Sequence, residues 1–413
     1  MNRSVWAGLV VILALLALAC MPRTRTLRFV LPTTIHSGDV AVGRASPTAN
    51  NCVDWQGYVP DPRYPDHLPV RLLRVNVHVL DNRAGNAHRP KDSVLVFVRD
   101  LLQLANAALD TNEYSWRSPS GTPVLPKRYR YMLTPQPDSP GDEGIYFHYD
   151  DDLYYFVSMG KNQNNYTRHV VDRYGIGTDS IINIFLLTHH PDSMRSPTYR
   201  ANGQGIALGT ALKMAGVLES QEGPSSFDGL LNHEVGHILG LNHAWSYDGC
   251  DDTNDHPNKC WSWTTDPPCN EQATNNMMDY NAYQIALSPC QIGKVQATFA
   301  NEKNTVRRCL LPTWCTLRPD RKIVVTDSVV WAGARDLEGD LTIAAGGNLR
   351  VSCRVSMPPG AKITVNPGGV LWLDGCRLHN ACGKTWQGIF VEEKNGIRGE
   401  VRLMRQPVLD NLE

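Results

Sequence analysis

Eleven consecutive residues, HEVGHILGLNH at 233–243, limit what this chain can fold into more than any other stretch. His233 and His237 are four positions apart, so a helix through them carries both rings on one face. Gly240 accepts a left-handed backbone, which ends that helix and turns the chain sharply. The turn brings His243, six residues past His237, back toward the same point. Three imidazole nitrogens then share one cation and leave a fourth position for water, the arrangement a catalytic zinc needs. Glu234 sits beside the first histidine as the base for that water, whose pKa zinc lowers from 15.7 toward ~7. A bare HExxH occurs on many helices, where it means two surface histidines and an ion-paired Glu. Here Gly240, His243 and a downstream Met-containing segment fall in place as well.

The surroundings of this helix read as a mixed α/β sheet with helices packed on it. Leu73, Val75, Val77 and Val79 alternate with polar residues and predict a half-buried strand. Val94, Phe97, Val98, Leu101, Ala105 and Ala108 share one helical face, with Asp92 and Ser93 as caps. Tyr129, Tyr131 and Leu133 mark a second strand. Residues 181–187 are continuously apolar, as in a strand covered on both faces, and 205–209 form a short further strand. The metal-binding helix spans about Ser226 to Leu239, with Leu231, Val235, Ile238 and Leu239 as its core face. A last helix starts at Ser288-Pro289-Cys290-Gln291, a capping box with Pro in the first turn. The acidic run Asp150–Asp152 reads as a solvated turn, and His189 and His190 as loop residues outside the metal set.

After Leu311 the pattern changes. Leu341, Ile343, Gly346, Gly347, Leu349 and Val351 recur as Ile363, Val365, Gly368, Gly369, Leu371 and Leu373, each 22 residues on. Strands and turns repeating at that length, with no helical signal, suggest a parallel β-solenoid. A small β-sandwich with two similar hairpins is the other reading.

The first 20 residues read as an export signal: Arg3, then an apolar stretch at 5–19 that is short for a membrane span. Ala17-Leu18-Ala19 fits an ordinary cleavage site. Ala19-Cys20 also resembles the end of a lipobox, in which case lipid on Cys20 anchors the protein to a membrane. The chain therefore divides into a signal at 1–20, a linker or short pro-segment at 21–69, a catalytic domain at 70–311 and a β-rich domain at 312–413. There are 11 cysteines, and setting Cys20 aside leaves an even ten for disulfides, which persist outside the cytosol. Cys250, Cys260, Cys269 and Cys290 are expected to bridge among themselves. Cys52 and Cys309 flank the catalytic domain and are expected to tie its ends together; the alternative makes Cys52 a thiolate that caps the zinc in a latent form. With 40 Lys+Arg against 41 Asp+Glu, no basic stripe points to nucleic acid.

HExxHxxGxxH with a downstream Met-turn, here Asn275-Asn276-Met277-Met278-Asp279-Tyr280, is the signature of metzincins. HAWSYDGCDDT (243–253), NNMMDY (275–280), SPCQIGKV (288–295) and the opening strand VRLLRVNVHVLD (70–81) resemble the pappalysin family, especially its cytophagalysin-like bacterial members. The resemblance covers about residues 52–311. It implies a metzincin-type α/β catalytic domain and a zinc endopeptidase acting on proteins or peptides. It implies Met278 as the turn Met beneath the metal. Tyr280 matches a Tyr near the metal in several metzincins; it either donates a hydrogen bond to the oxyanion or is a buried Tyr satisfying a carbonyl. Calcium is also implied, with Asp251, Asp252 and Asp255 as oxygen ligands, although three acids in one loop are more often simply solvated. Trp245 stands where many members carry another aromatic.

Together these readings describe a secreted or surface-anchored zinc endopeptidase. A competing one makes the chain a surface adhesion protein with a vestigial zinc site, against which the intact Glu234 argues. A third makes it a latent peptidase that sheds residues 21–69.

Overall fold

The structure, a computed structural model, describes residues 24–31, 52 and 54–413. The signal segment and Cys20 lie outside the described residues. The chain forms two compact units: Val53–Pro312, and a second that joins N-terminal residues up to Cys52 to Thr313–Glu413.

The first unit is built on a seven-stranded sheet. Its strands are β1 (Arg71–Asp81), β2 (Tyr129–Leu133), β3 (Ile145–Tyr149), β4 (Tyr155–Phe156), β5 (Ile182–His189), β6 (Gln204–Ala207) and β7 (Ala211–Ala215). The order is β2-β1-β5-β7-β6; β3 extends the β2 edge along β1, and β4 pairs with β5. Every pairing is parallel except that of β6 with β7, which makes β6 an antiparallel edge strand. The central strands β1 and β5 are covered on both faces, as their apolar content requires. Two polar residues interrupt β1. Asn76 lies opposite Asn183 in register, and His78 donates from Nε2 to both side-chain carbonyls at 3.0 Å, so these buried groups satisfy each other.

The three longest helices described in this unit are α1 (Lys91–Asp110), α2 (Asp228–Ile238) and α3 (Pro289–Ala300). Helix α1 buries Val94, Phe97, Val98, Leu101, Leu102, Ala105 and Leu109, and packs against α2. Its start differs from the expected cap. Pro90 occupies the cap position and no side chain accepts there, so Asp92 acts only through its charge in the first turn. Helix α3 begins as expected: Ser288 accepts from the Gln291 backbone, and Gln291 reaches back. Asp150 is no solvated turn residue. It is buried, and its carboxylate accepts from the Asp152 and Leu153 backbones and from the Tyr174 hydroxyl.

The second unit consists of strands in three sheets that follow one another in strict rotation. Ile323–Val325, Leu341–Ile343, Lys362–Val365 and Gly388–Lys394 lie side by side in one sheet. Ser328–Trp331, Asn348–Val351, Val370–Asp374 and Glu400–Arg405 form the next. Arg335–Asp336, Arg354–Ser356, Arg377–His379 and Val408–Leu409 form the third. Within each sheet these pairings are parallel, and the 22-residue repeat sets the register: Leu341 opposes Ile363, Ile343 opposes Val365, and Leu349 opposes Leu371. All these side chains are buried inward. The paired glycines of the repeat have separate jobs. Gly346 and Gly368 take positive φ, at 81° and 78°, while a Cβ on Gly347 would fall 2.2 Å from Val325 O and one on Gly369 2.7 Å from Ala344 O.

Two expectations are corrected here. Residues 21–69 are not wholly linker, because Arg25–Arg28 adds an antiparallel strand to Gly388–Lys394, against the edge of the first of these sheets. Cys52 bonds Cys353, with the Cα atoms 5.7 Å apart, and neither pairs with Cys309 nor offers a thiolate. Cys309 is a buried free thiol whose carbonyl accepts from Arg74 of β1, so it is a core residue of the first unit. A further disulfide, Cys315–Cys382, lies in the second unit. Among the described residues, no helix is long and apolar enough to cross a membrane.

Candidate active site

Helix α2 turns its apolar back, Leu231 and Val235, fully into the core, and its opposite face carries His233, Glu234 and His237. Gly240, at φ 90°, ends it. Leu241 N–H then bonds back to Gly236 O at 3.0 Å, and Thr298 of α3 donates to Leu239 O at 3.0 Å. This closure fixes the loop that returns His243 to the helix. The three rings converge: Nε2 of His237 lies 3.1 Å from Nε2 of His233 and 3.2 Å from that of His243.

The other ring nitrogens fix the tautomers. His233 Nδ1 donates to Met277 O and His237 Nδ1 to Leu241 O, both at 2.8 Å. Their Nε2 atoms therefore carry lone pairs aimed at one another, an arrangement that repels unless a cation stands between them. A tetrahedral zinc with bonds of ~2.05 Å separates its nitrogens by about 3.3 Å, close to the spacing seen here. Burial also keeps the rings neutral: it pulls His233 down to about 3 and His243 to about 4, and lowers His237. The three side chains fit a zinc ion.

Glu234 is buried beside them. Burial pushes its carboxyl up to about 8, opposed by the N–H of Ala207 on the edge strand β6. Strand β6 thus faces the carboxylate directly. Tyr280 is half exposed, with its ring 5.6 Å from that of His233 and 5.1 Å from that of His243.

Met278 is fully buried below α2, at the centre of a turn held by polar side chains. Asn276 Oδ1 accepts from Met278 N–H at 2.9 Å, while its amide donates to Gln291 of α3 at 2.9 Å. Asn281 donates to Asn276 O at 2.9 Å, and Thr274 to Asp279 at 2.9 Å. The loop after His243 is fastened to α3 by the Cys250–Cys290 disulfide, and Cys260 bonds Cys269, so these four cysteines pair among themselves. Asp252 spends both carboxylate oxygens on α3, accepting from the Ser288 hydroxyl and the Cys290 N–H. Asp251, Asp252 and Asp255 form no three-ligand cluster among the described residues, which removes the support for calcium there.

Sequence reasoning singled out Trp245 but not its contact: its ring stacks on His243 with 3.9 Å between centroids. It missed two further participants. Gly205 and Gly236 matter through the side chains they lack, for which a single sequence carries no signal.

Residues 201–305 match the family model described as metallo-peptidase family M12B, reprolysin-like. That span holds α2, all three histidines and the Met278 turn. Among solved structures, the chain is similar to mature mirolysin of Tannerella forsythia in complex with a cleaved peptide, at 16% identity and TM-score 0.41, covering 58% of this chain and 94% of that one. It is also similar to a promirolysin mutant from Tannerella forsythia, at 17% identity and TM-score 0.39, covering 58% of this chain and 84% of that one. No curated protein is significantly similar to the chain in sequence.

Proposed function

We propose that this chain is an exported zinc endopeptidase that hydrolyses peptide bonds in proteins, with His233, His237 and His243 as the metal ligands and Glu234 as the base. The observation that carries the reading is the meeting of three Nε2 atoms at 3.1 and 3.2 Å, two of them left with lone pairs by Nδ1 bonds to carbonyls, beside a buried carboxyl. Zinc held there supplies a Lewis acid that acidifies water and polarises a carbonyl. Glu234 takes the proton of the attacking water and hands it to the leaving amine. Strand β6 offers an edge for an extended peptide to pair with, which holds the scissile bond over the carboxylate. Tyr280, exposed beside two of the ligands, donates a hydrogen bond to the developing oxyanion. Met278 supports the ligand helix from below.

The match over 201–305 supports a metallopeptidase. The finer likeness to the pappalysin family rests on the sequence around His243 and the Met-turn. Four disulfides and the apolar segment at 5–19 support a secreted or cell-surface location. We read the second unit as a three-faced parallel β-solenoid, supported by the rotation of its strands through three parallel sheets and the 22-residue register.

The test is metal analysis of the mature protein with cleavage of a diverse peptide mixture, with and without chelator. Zinc at one equivalent, cleavage lost on chelation, and a Glu234→Gln variant that keeps zinc but not cleavage are the expected results. Protein that binds no transition metal, or cleaves equally well as Glu234→Gln, overturns the reading.

A further inference from the structure

We propose that Trp245 is a positioning residue for His243 and thereby sets how tightly this site holds its metal; the proposal rests on the zinc reading above. The three imidazoles are not anchored alike. His233 and His237 stand on α2, and each commits Nδ1 to a main-chain carbonyl at 2.8 Å. His243 stands on the loop beyond Gly240, and among the described residues its Nδ1 makes no hydrogen bond. Such a ring is free to turn about its side-chain bonds unless packing stops it, and ordering it on binding costs affinity.

Aromatic rings take the place of the missing hydrogen bond. The Trp245 ring lies nearly parallel to His243, at 3.9 Å and 15° between planes. Tyr280 meets the same imidazole edge-on at 5.1 Å and 70°, and touches Trp245 at 4.6 Å, so His243 is clasped from two directions. Trp245 is itself fixed. Its carbonyl accepts from His256 N–H at 3.1 Å, its neighbour Ala244 is buried, and the loop is fastened to α3 through Cys250–Cys290. There is also a direct electronic reason for an indole at this place. An imidazole that gives a lone pair to a cation becomes electron-poor, and the electron-rich face of Trp attracts such a ring more strongly than a neutral one. The stack therefore favours the metal-loaded state and does not merely fill space.

The experiment measures zinc affinity by competition with a chromogenic chelator, and the visible spectrum of the Co2+-loaded protein, for the mature wild type, Trp245→Phe, Trp245→Leu and Trp245→Met. The expected result is near wild-type affinity for Trp245→Phe. For Leu and Met the zinc Kd rises about tenfold or more, the usual scale for losing a group that orients a ligand, and the Co2+ bands change. At saturating zinc, KM for a peptide stays within about twofold, because Trp245 acts through His243. Thermal unfolding of the chelator-treated proteins controls for folding: with the metal removed, each variant unfolds with the wild type, and Met serves if Leu does not fold. Leu and Met variants with wild-type zinc affinity and an unaltered Co2+ spectrum overturn the proposal, as does a rise in KM alone. A wild type that binds no metal overturns the zinc reading and this proposal together, whereas a metal-binding wild type with indifferent variants overturns only this one.

Discussion

The sulfur of Met278 fills the place that a side chain at position 236 would need: a Cβ built on Gly236 falls 2.4 Å from Met278 Sδ. Gly236 lies between the two helical histidines, so the turn Met is pressed against the part of α2 that carries them. A methyl at 236 must push Met278 away or lift the helix, and both move His237. Gly236→Ala is therefore expected to lower kcat/KM by about 100-fold, the scale of a misplacement near 1 Å, and stability by about 1–3 kcal/mol. Met278→Ala leaves a cavity instead and costs about 2–5 kcal/mol. The double variant removes the clash, so it should lose less than the two single losses combined. Denaturant titration of all three proteins checks this, and strict additivity would show that the two positions do not compete for space.

Gly205 bears the same relation to the base. A Cβ there would lie 2.6 Å from both Cγ and Oε1 of Glu234 and 2.8 Å from Cδ. Position 205 is on the edge strand, not on the ligand helix, so a methyl there displaces the carboxylate without touching the histidines. Gly205→Ala should keep its full zinc content while turnover falls about 100-fold or more. Metal analysis beside kcat/KM separates the two effects. Retained turnover would mean that Glu234 acts from a rotamer other than the one seen.

What the sequence disclosed followed the physics of local periodicity. Helix α2, its Gly240 stop and the capping box of α3 are written in residues a few positions apart, and all three were readable. The same holds for the 22-residue register, because Leu341 and Ile363 face equivalent neighbours. The disulfide of Cys52 was not readable, since its partner Cys353 lies 301 residues away and no local pattern encodes that closure. Strand β7 was missed for another reason. Its Lys213 breaks the apolar run, yet it is buried and its ammonium donates to the carbonyls of Asn164 at 2.7 Å and Thr167 at 2.8 Å. A charge with its partners on a distant loop looks, in sequence, like a solvated one. Trp245 was visible as a residue but not as a neighbour, because stacking on His243 depends on the turn between them.

His78 and His148 make stability fall in mild acid. His78 Nδ1 lies 2.9 Å from His148 Nε2, and His78 Nε2 already donates to two asparagine carbonyls, so His148 is the donor and both rings are neutral. Burial, and then the His148 ring, hold His78 down to about 3, while burial holds His148 down to about 4. In the unfolded chain both titrate near ~6.5. Between that value and the folded ones the unfolded state binds more protons, so stability is full above about pH 6.5 and is lost progressively as pH falls. The urea midpoint of the zinc-loaded protein should drop from pH 6.5 to 4.5. His148→Gln keeps a donor to His78 and removes one titrating ring, so its midpoint should drop less. Identical slopes for the two proteins would place the acid sensitivity elsewhere.

His256 should act with the opposite sign. Its Nε2 lies 3.2 Å from Asp279 Oδ2, with side chains 1% and 0% exposed, and its Nδ1 lies 2.9 Å from Asn254 O. Both neighbours are acceptors, so the surroundings favour a ring protonated on both nitrogens, placed beside the Asp279 carboxyl between Met278 and Tyr280. Burial is the largest single influence on His256 and pulls its pKa down, but the Asp279 carboxyl and the Asn254 carbonyl together outweigh it and the net value is raised. Its contribution is therefore complete below about pH 6.5 and disappears as pH rises through the folded value. His256→Ala leaves a buried carboxylate unpaired and should cost about 3–5 kcal/mol at pH 6, with part of the loss recovered in the double variant with Asp279→Ala. The same substitution should cost less at pH 8.5. Denaturant titrations of the zinc-loaded proteins at both pH values check this, and an equal loss at both would mean that the ring beneath the Met-turn is neutral throughout.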